Sequence, residues 1–189
     1  MNAVALGKLI ARIALWLGAA AVMIVGGAVL AGFLTGHLAL RSSLAAARSL
    51  NATAPPMVLP LADGTGMLGL AALKGKPVYL NFFASWCPPC NLEAPELAQL
   101  DRAYASRGLV MLGVDEEETA DRALGFRERY GLPYRILLDR DGSAGRPYGA
   151  SALPVQALID RTGRVAWTHV GMIDENETRA AIERALPAR

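Results

Sequence analysis

Residues 78 to 97, VYLNFFASWCPPCNLEAPEL, leave few choices of local structure. VYLNFF is a short, mostly apolar run with aromatic members, the pattern of a buried strand. Directly after it, Pro88 and Pro89 suit the first positions of a helix, where a missing N–H costs nothing. Leu92, Leu97, Leu100 and Tyr104 then recur at steps compatible with one helix face, and SRG at 106–108 stops it. Pro95 is expected to kink that helix. A strand must therefore hand over abruptly to a helix, and the chain's only two cysteines, Cys87 and Cys90, lie at the handover.

The rest of the chain repeats this alternation. LVMLGV reads as a second buried strand. TADRALGFRERYG reads as a helix with Thr119 as N-cap, Ala123, Phe126 and Tyr130 as its apolar stripe, and Gly131 as terminator. This completes a βαβ unit. YRILLD is a further strand, VQALID and RVAWTHV form an antiparallel hairpin around RTG, and DENETRAAIERAL is a closing helix opened by Asp174 with Glu177 three residues on. Upstream, MVLPLADGTG reads as a short strand and a Gly-rich turn. Together these elements imply an α/β fold, a mixed central sheet flanked by helices.

Ile13 through Leu34 carries no charged residue and approaches the ~20 apolar residues a membrane-spanning helix needs. A cleaved signal peptide is the competing reading, with LAAARS at 44–49 offering small residues to a peptidase, although its apolar core is usually only ~7 to 15 residues. Lys8 and Arg12 precede the span while Arg41 and Arg48 follow it, and the former pair argues for a cytoplasmic N-terminus. The expected organisation is an anchor at 1–40, an Ala/Ser-rich linker at 41–54 and a folded domain at 55–189, single-pass in the inner membrane with the domain outside. Four of the 19 basic residues and none of the 17 acidic ones precede Leu50, leaving 15 against 17 in the remainder. That mildly acidic balance, without a clustered basic motif, excludes a nucleic-acid partner.

The cysteines carry the chemistry. The thiolate is the nucleophile in disulfide exchange, and a helix N-terminus favours the charged form, so Cys87 is the expected attacking thiol. Cys90, one turn further in, can resolve the mixed disulfide. A purely structural disulfide across so short a loop would constrain the unfolded chain little. A tetrahedral metal site normally needs four ligands, and only His37 and His169 could add to the thiols. No cofactor or resident metal is expected.

KGKPVYLNFFASWCPPCNLEAPEL, GLVMLGVDE, YGLPYRILLDRDG, YGASALPVQALIDRTGRV and HVG, in this order, resemble the thioredoxin superfamily, and more closely its membrane-anchored TlpA/ResA-type thiol-disulfide oxidoreductases. The match covers about residues 55 to 189. The resemblance implies a thioredoxin-like fold, Cys87 as nucleophile, Cys90 as resolving thiol, and Pro154 as a cis-proline whose loop faces the dithiol. That loop, with Leu153 as a substrate-binding residue, would receive an extended substrate strand, and Trp86, an aromatic beside the nucleophile, can shield it and offer a flat surface to a partner. Trp86 could equally serve packing alone.

Two positions depart from wider patterns. Asn81 stands where thioredoxin has a buried Asp, and the TlpA/ResA pattern instead supplies an acid at Glu93, about one turn beyond Cys90. A solvated carboxylate is the alternative for Glu93. Phe83 replaces a common Trp, which bears on packing. The resemblance implies reduction of protein disulfides outside the cytoplasm, with apocytochrome c or a copper-site assembly protein as substrate and a membrane thiol transporter as electron donor. A disulfide-introducing oxidase, a metal-binding chaperone and a non-enzymatic adaptor remain the rivals.

Overall fold

The structure, a computed structural model, describes residues 50 to 187. The span expected at 13–34 and most of the linker lie outside the described residues. Among the described residues, no helix is long and apolar enough to cross a membrane.

Strand β3 (Val78–Phe83) is the centre of the molecule and is buried along its whole length. Its side chains alternate between two core clusters, Tyr79 and Phe83 in one, Val78, Leu80 and Phe82 in the other, following the two-residue period of a strand. Both faces are covered, which is why the run is apolar almost throughout. Numbering the N-terminal pair β1 (Val58–Pro60) and β2 (Met67–Gly69), the sheet continues with β4 (Val110–Glu116), β5 (Arg135–Asp139), β6 (Val155–Ile159) and β7 (Val165–Val170). Its order is β5-β4-β3-β6-β7. β3, β4 and β5 are parallel, while β6 is antiparallel to β3 and β7 to β6.

Helices α1 (Pro88–Tyr104) and α2 (Ala120–Tyr130) make the two parallel crossovers. Both step the same way across the sheet, so right-handed connections put them on the same face. α3 (Glu175–Ala185) joins them there: Leu97, Leu100, Ala123, Phe126, Ala181 and Ile182 all belong to one core cluster. The helices thus flank one face only. The other is covered by Met57 and Leu61 around the β1–β2 hairpin and by Tyr148 from a one-turn 3-10 helix, Arg146–Tyr148. β2, at three residues, was too short for its period to be read from sequence and extends the expected single strand into a hairpin.

The helix ends follow their capping chemistry with one correction. α1 continues through Pro95, which lies on its exposed side. Gly131 ends α2 at φ 57, and the Asp174 carboxylate accepts from Glu177 N–H at 2.9 Å. Thr119 occupies the α2 N-cap in an extended conformation, but its side chain makes no capping hydrogen bond. Phe83 packs against Phe126 with ring centroids 4.6 Å apart and the rings tilted by 32°.

Candidate active site

β3 ends at Phe83, and four residues later Cys87 is the N-cap of α1, with φ −79 and ψ 111. Pro88 and Pro89 occupy the first two helical positions. The first helical bond runs from Asn91 N–H to Cys87 O at 3.1 Å. Cys87 and Cys90 are joined as a disulfide with Cα atoms 5.3 Å apart, and Cys90 N–H donates to Cys87 Sγ at 3.3 Å. The pair is held where the sequence puts it, at the carboxyl end of the central strand and the positive end of a helix.

The segment before Cys87 is clamped from two sides. Glu118 accepts from Ser85 N–H at 2.5 Å and from Ser85 Oγ at 2.7 Å. Asn91 Nδ2 donates to Ser85 O at 3.0 Å and to Cys87 O at 2.7 Å, while Tyr130 Oη donates to Asn91 Oδ1 at 2.7 Å. Of these groups the sequence singled out Tyr130 alone, as a member of an apolar stripe and not for its hydroxyl. Asn91 lies in the first turn among residues that look solvated, and Glu118 ends an acidic run, DEEE, that reads as surface.

The Leu153–Pro154 peptide is cis, as the resemblance implied. Its loop borders the dithiol: Leu153, Trp86 and Cys87 line one groove of about 580 Å³, with Glu116, Glu117 and Arg146 among the opposing groups. Pro154 O accepts from Gly171 N–H at 2.9 Å, and no hydrogen bond of the Leu153 backbone is seen among the described residues. Trp86 is 64% exposed, so it does not serve the core; its indole lies open at the groove.

Glu93 is not a solvated carboxylate. It is 1% exposed and accepts from Gln156 Nε2 at 3.1 and 3.2 Å and from Ile173 N–H at 3.1 Å. Burial pushes its pKa up to about 7, against the pull of those hydrogen bonds and with a further push from Glu96. Gln156 faces Asn81 across the β3–β6 pairing, so a polar seam runs through the sheet beneath the dithiol helix. Gln156 was missed, although a glutamine within VQALI is the signal that could have found it. Asp115 and Glu116 form a second acidic group at the end of β4. Burial pushes each carboxyl up to about 8, aided by Glu118 beside Asp115 and by Asp139 beside Glu116.

A five-stranded mixed sheet, a dithiol at a strand-to-helix junction and a cis-proline loop facing it define a thioredoxin-fold thiol-disulfide oxidoreductase. The comparisons agree. Residues 49–186 match the Redoxin family model. The chain is 32% identical to the thiol-disulfide oxidoreductase ResA of Geobacillus thermodenitrificans (strain NG80-2), covering 74% of this chain and 79% of that one. A crystal structure of a putative thiol:disulfide interchange protein DsbE from Chlorobium tepidum superposes with a TM-score of 0.66 at 32% identity, covering 71% of this chain and 96% of the other. The structure of dsbF from MTB, in mixed oxidised and reduced forms, gives 0.63 at 26% identity over 68% and 94%. The chain belongs to the redoxin family, as a thiol-disulfide oxidoreductase of the TlpA/ResA type that works through Cys87 and Cys90.

Proposed function

We propose that this protein is a membrane-tethered reductant of protein disulfides acting outside the cytoplasm. The observation that carries the direction is the hydrogen bonding of the Cys87 sulfur. It accepts from Cys90 N–H, and the two residues between are prolines with no N–H to offer. An N-cap acceptor ordinarily draws on the N–H groups two and three positions ahead, and Pro89 removes the first. A thiolate with fewer donors is less stabilised, which weakens the reduced form relative to the disulfide and makes the dithiol the better electron donor.

In the cycle, Cys87 thiolate attacks one sulfur of a substrate disulfide and expels the other as a thiolate, which takes up a proton. Cys90 passes its proton to Glu93, one helical turn away, and attacks Cys87 Sγ. The substrate leaves with two thiols, and the protein keeps the Cys87–Cys90 disulfide, having given up two electrons. Leu153 and Trp86 hold the substrate segment in the groove, with Pro154 shaping the loop beneath it. The TlpA/ResA resemblance supports apocytochrome c or a copper-site assembly protein as substrate and a membrane thiol transporter as the donor that restores the dithiol. The charge-free run at 13–34 supports the tether.

Glutathione-equilibrated titration tests the direction. The wild-type potential is expected nearer thioredoxin's roughly −270 mV than the roughly −120 mV of a dedicated oxidant. Pro89→His restores a donor and should raise the potential while lowering the Cys87 pKa. A level or falling potential in that variant would show that another feature sets the poise.

A further inference from the structure

At the end of the sheet remote from Cys87, where Val78 faces Ile159, three segments meet. The turn before β3 carries Lys74 and Lys76, the β6–β7 turn carries Arg161 and Arg164, and the chain entering the domain at 51–54 runs alongside. The two basic turns are pinned together: Gly75 N–H donates to Arg161 O at 3.1 Å, and Arg161 Nε to Gly75 O at 3.2 Å. The entering chain is fixed there by Asn51 N–H to Val165 O at 2.7 Å, Ala54 N–H to Gly163 O at 2.9 Å and Arg164 Nη1 to Asn51 O at 2.5 Å.

All four basic side chains are exposed, and none has a carboxylate at ion-pair distance among the described residues. Asp160, the acidic residue between them, is committed to its own turn, where Oδ1 accepts from Thr162 N–H, Thr162 Oγ1 and Arg164 N–H. The lysines share a groove of about 270 Å³ with Val58, Leu70 and Leu73, and Val58 is 64% exposed. The dithiol end is mixed instead: Glu117 and Glu118 lie there with Arg122, Arg129 and Arg146, Arg122 pairs with Glu118, and burial raises the pKa of Glu93, Asp115 and Glu116. The unpaired basic cluster therefore belongs to the end remote from Cys87.

We propose that the Lys74/Lys76/Arg161/Arg164 face docks on the anionic phospholipid headgroups of the bilayer and turns the dithiol away from it. The proposal rests on the tethered reading above. Fifteen residues, and so 16 Cα–Cα steps, lie between Leu34 and Leu50, a reach of about 22 Å as a flexible coil and at most ~55 Å extended. The chain enters the domain through this same face, so the linker's attachment point and the basic groups lie together. Basic groups within a Debye length of an anionic surface are drawn to it.

Lys74 and Lys76 are the only lysines between residues 50 and 187, so amine-selective acetylation within the domain reads this face alone, and Lys8 is resolved from it by mass. The full chain is placed in nanodiscs of neutral phosphatidylcholine or of phosphatidylcholine with phosphatidylglycerol, and acetylation at each lysine is followed by mass spectrometry. Docking predicts labelling about five-fold slower or more on the anionic discs, the factor one basic residue's attraction represents, with the difference abolished by high salt. Arg161→Gln, which leaves the dithiol end untouched, should return much of the rate. Equal labelling on the two lipids overturns the docking face. Protection in native membranes but on neither disc assigns the face to a protein partner and overturns it too. Release of the full chain from vesicles by alkaline carbonate would instead remove the tether, and the proposal with it.

Discussion

Glu93 shows how one residue can be both costly and useful. A carboxyl at 1% exposure is tolerated because Gln156 Nε2 and Ile173 N–H meet its oxygens, and the burial that remains uncompensated lifts its pKa to about 7. A general base is most effective when its pKa lies near the working pH. In the proposed cycle only the ionised form accepts the Cys90 proton, so turnover should rise with pH through about 7. Glu93→Gln keeps the shape and an acceptor but cannot take the proton. Disulfide-reduction rates from about pH 5 to 9 should fall ~10-fold or more and lose that inflection. An inflection retained in the variant would assign the proton to another group. In the sequence, Glu93 was legible through resemblance, but its burial was not: the partner that permits it lies 63 positions away.

Among the elements, the β7–α3 connection carries more than its length suggests. Gly171 N–H donates to Pro154 O, Ile173 N–H to Glu93, and Asp174 caps α3 by accepting from Glu177 N–H. One short loop thus ties the cis-proline loop, the buried acid and a helix end together. Asp174→Ala should cost about 1 kcal/mol of stability, the usual value of an N-cap, seen as a lower urea midpoint. Because the Ile173 hydrogen bond lowers the Glu93 pKa, loosening the loop should also move the pH-rate inflection upward. Lost stability with an unmoved inflection would confine Asp174 to capping. The cap itself was readable in DENE; its link to the active site was not, since that depends on where β7 delivers the chain.

At the scale of the molecule, the three raised carboxyls set a pH dependence. Glu93, at about 7, and Asp115 and Glu116, at about 8, hold protons in the folded protein that an unfolded chain would release at ordinary carboxyl values. Between those ordinary values and about pH 8 the folded state binds more protons, so stability is full at acid pH and is lost as pH rises through the folded values. The oxidised protein should therefore melt on the order of 5 °C lower at about pH 8.5 than at about pH 5. A melting temperature that is level or rises over that range would mean that these carboxyls are ionised in the fold.

The sequence by itself determined the strand-to-helix handover at Cys87, the alternating elements, the helix ends at Gly131 and Asp174, and the family. Each depends on local backbone chemistry or on motifs contiguous in the chain, which need no knowledge of distant neighbours. The tertiary structure alone decided that the helices share one face, that Glu118 and Asn91 clamp the loop before the nucleophile, and that the basic turns at 74–76 and 161–164 lie side by side. These outcomes depend on strand order and register, which bring together groups far apart in the chain. A residue's type says what chemistry it can do, and only its neighbours across the sheet fix its burial, charge state and partners.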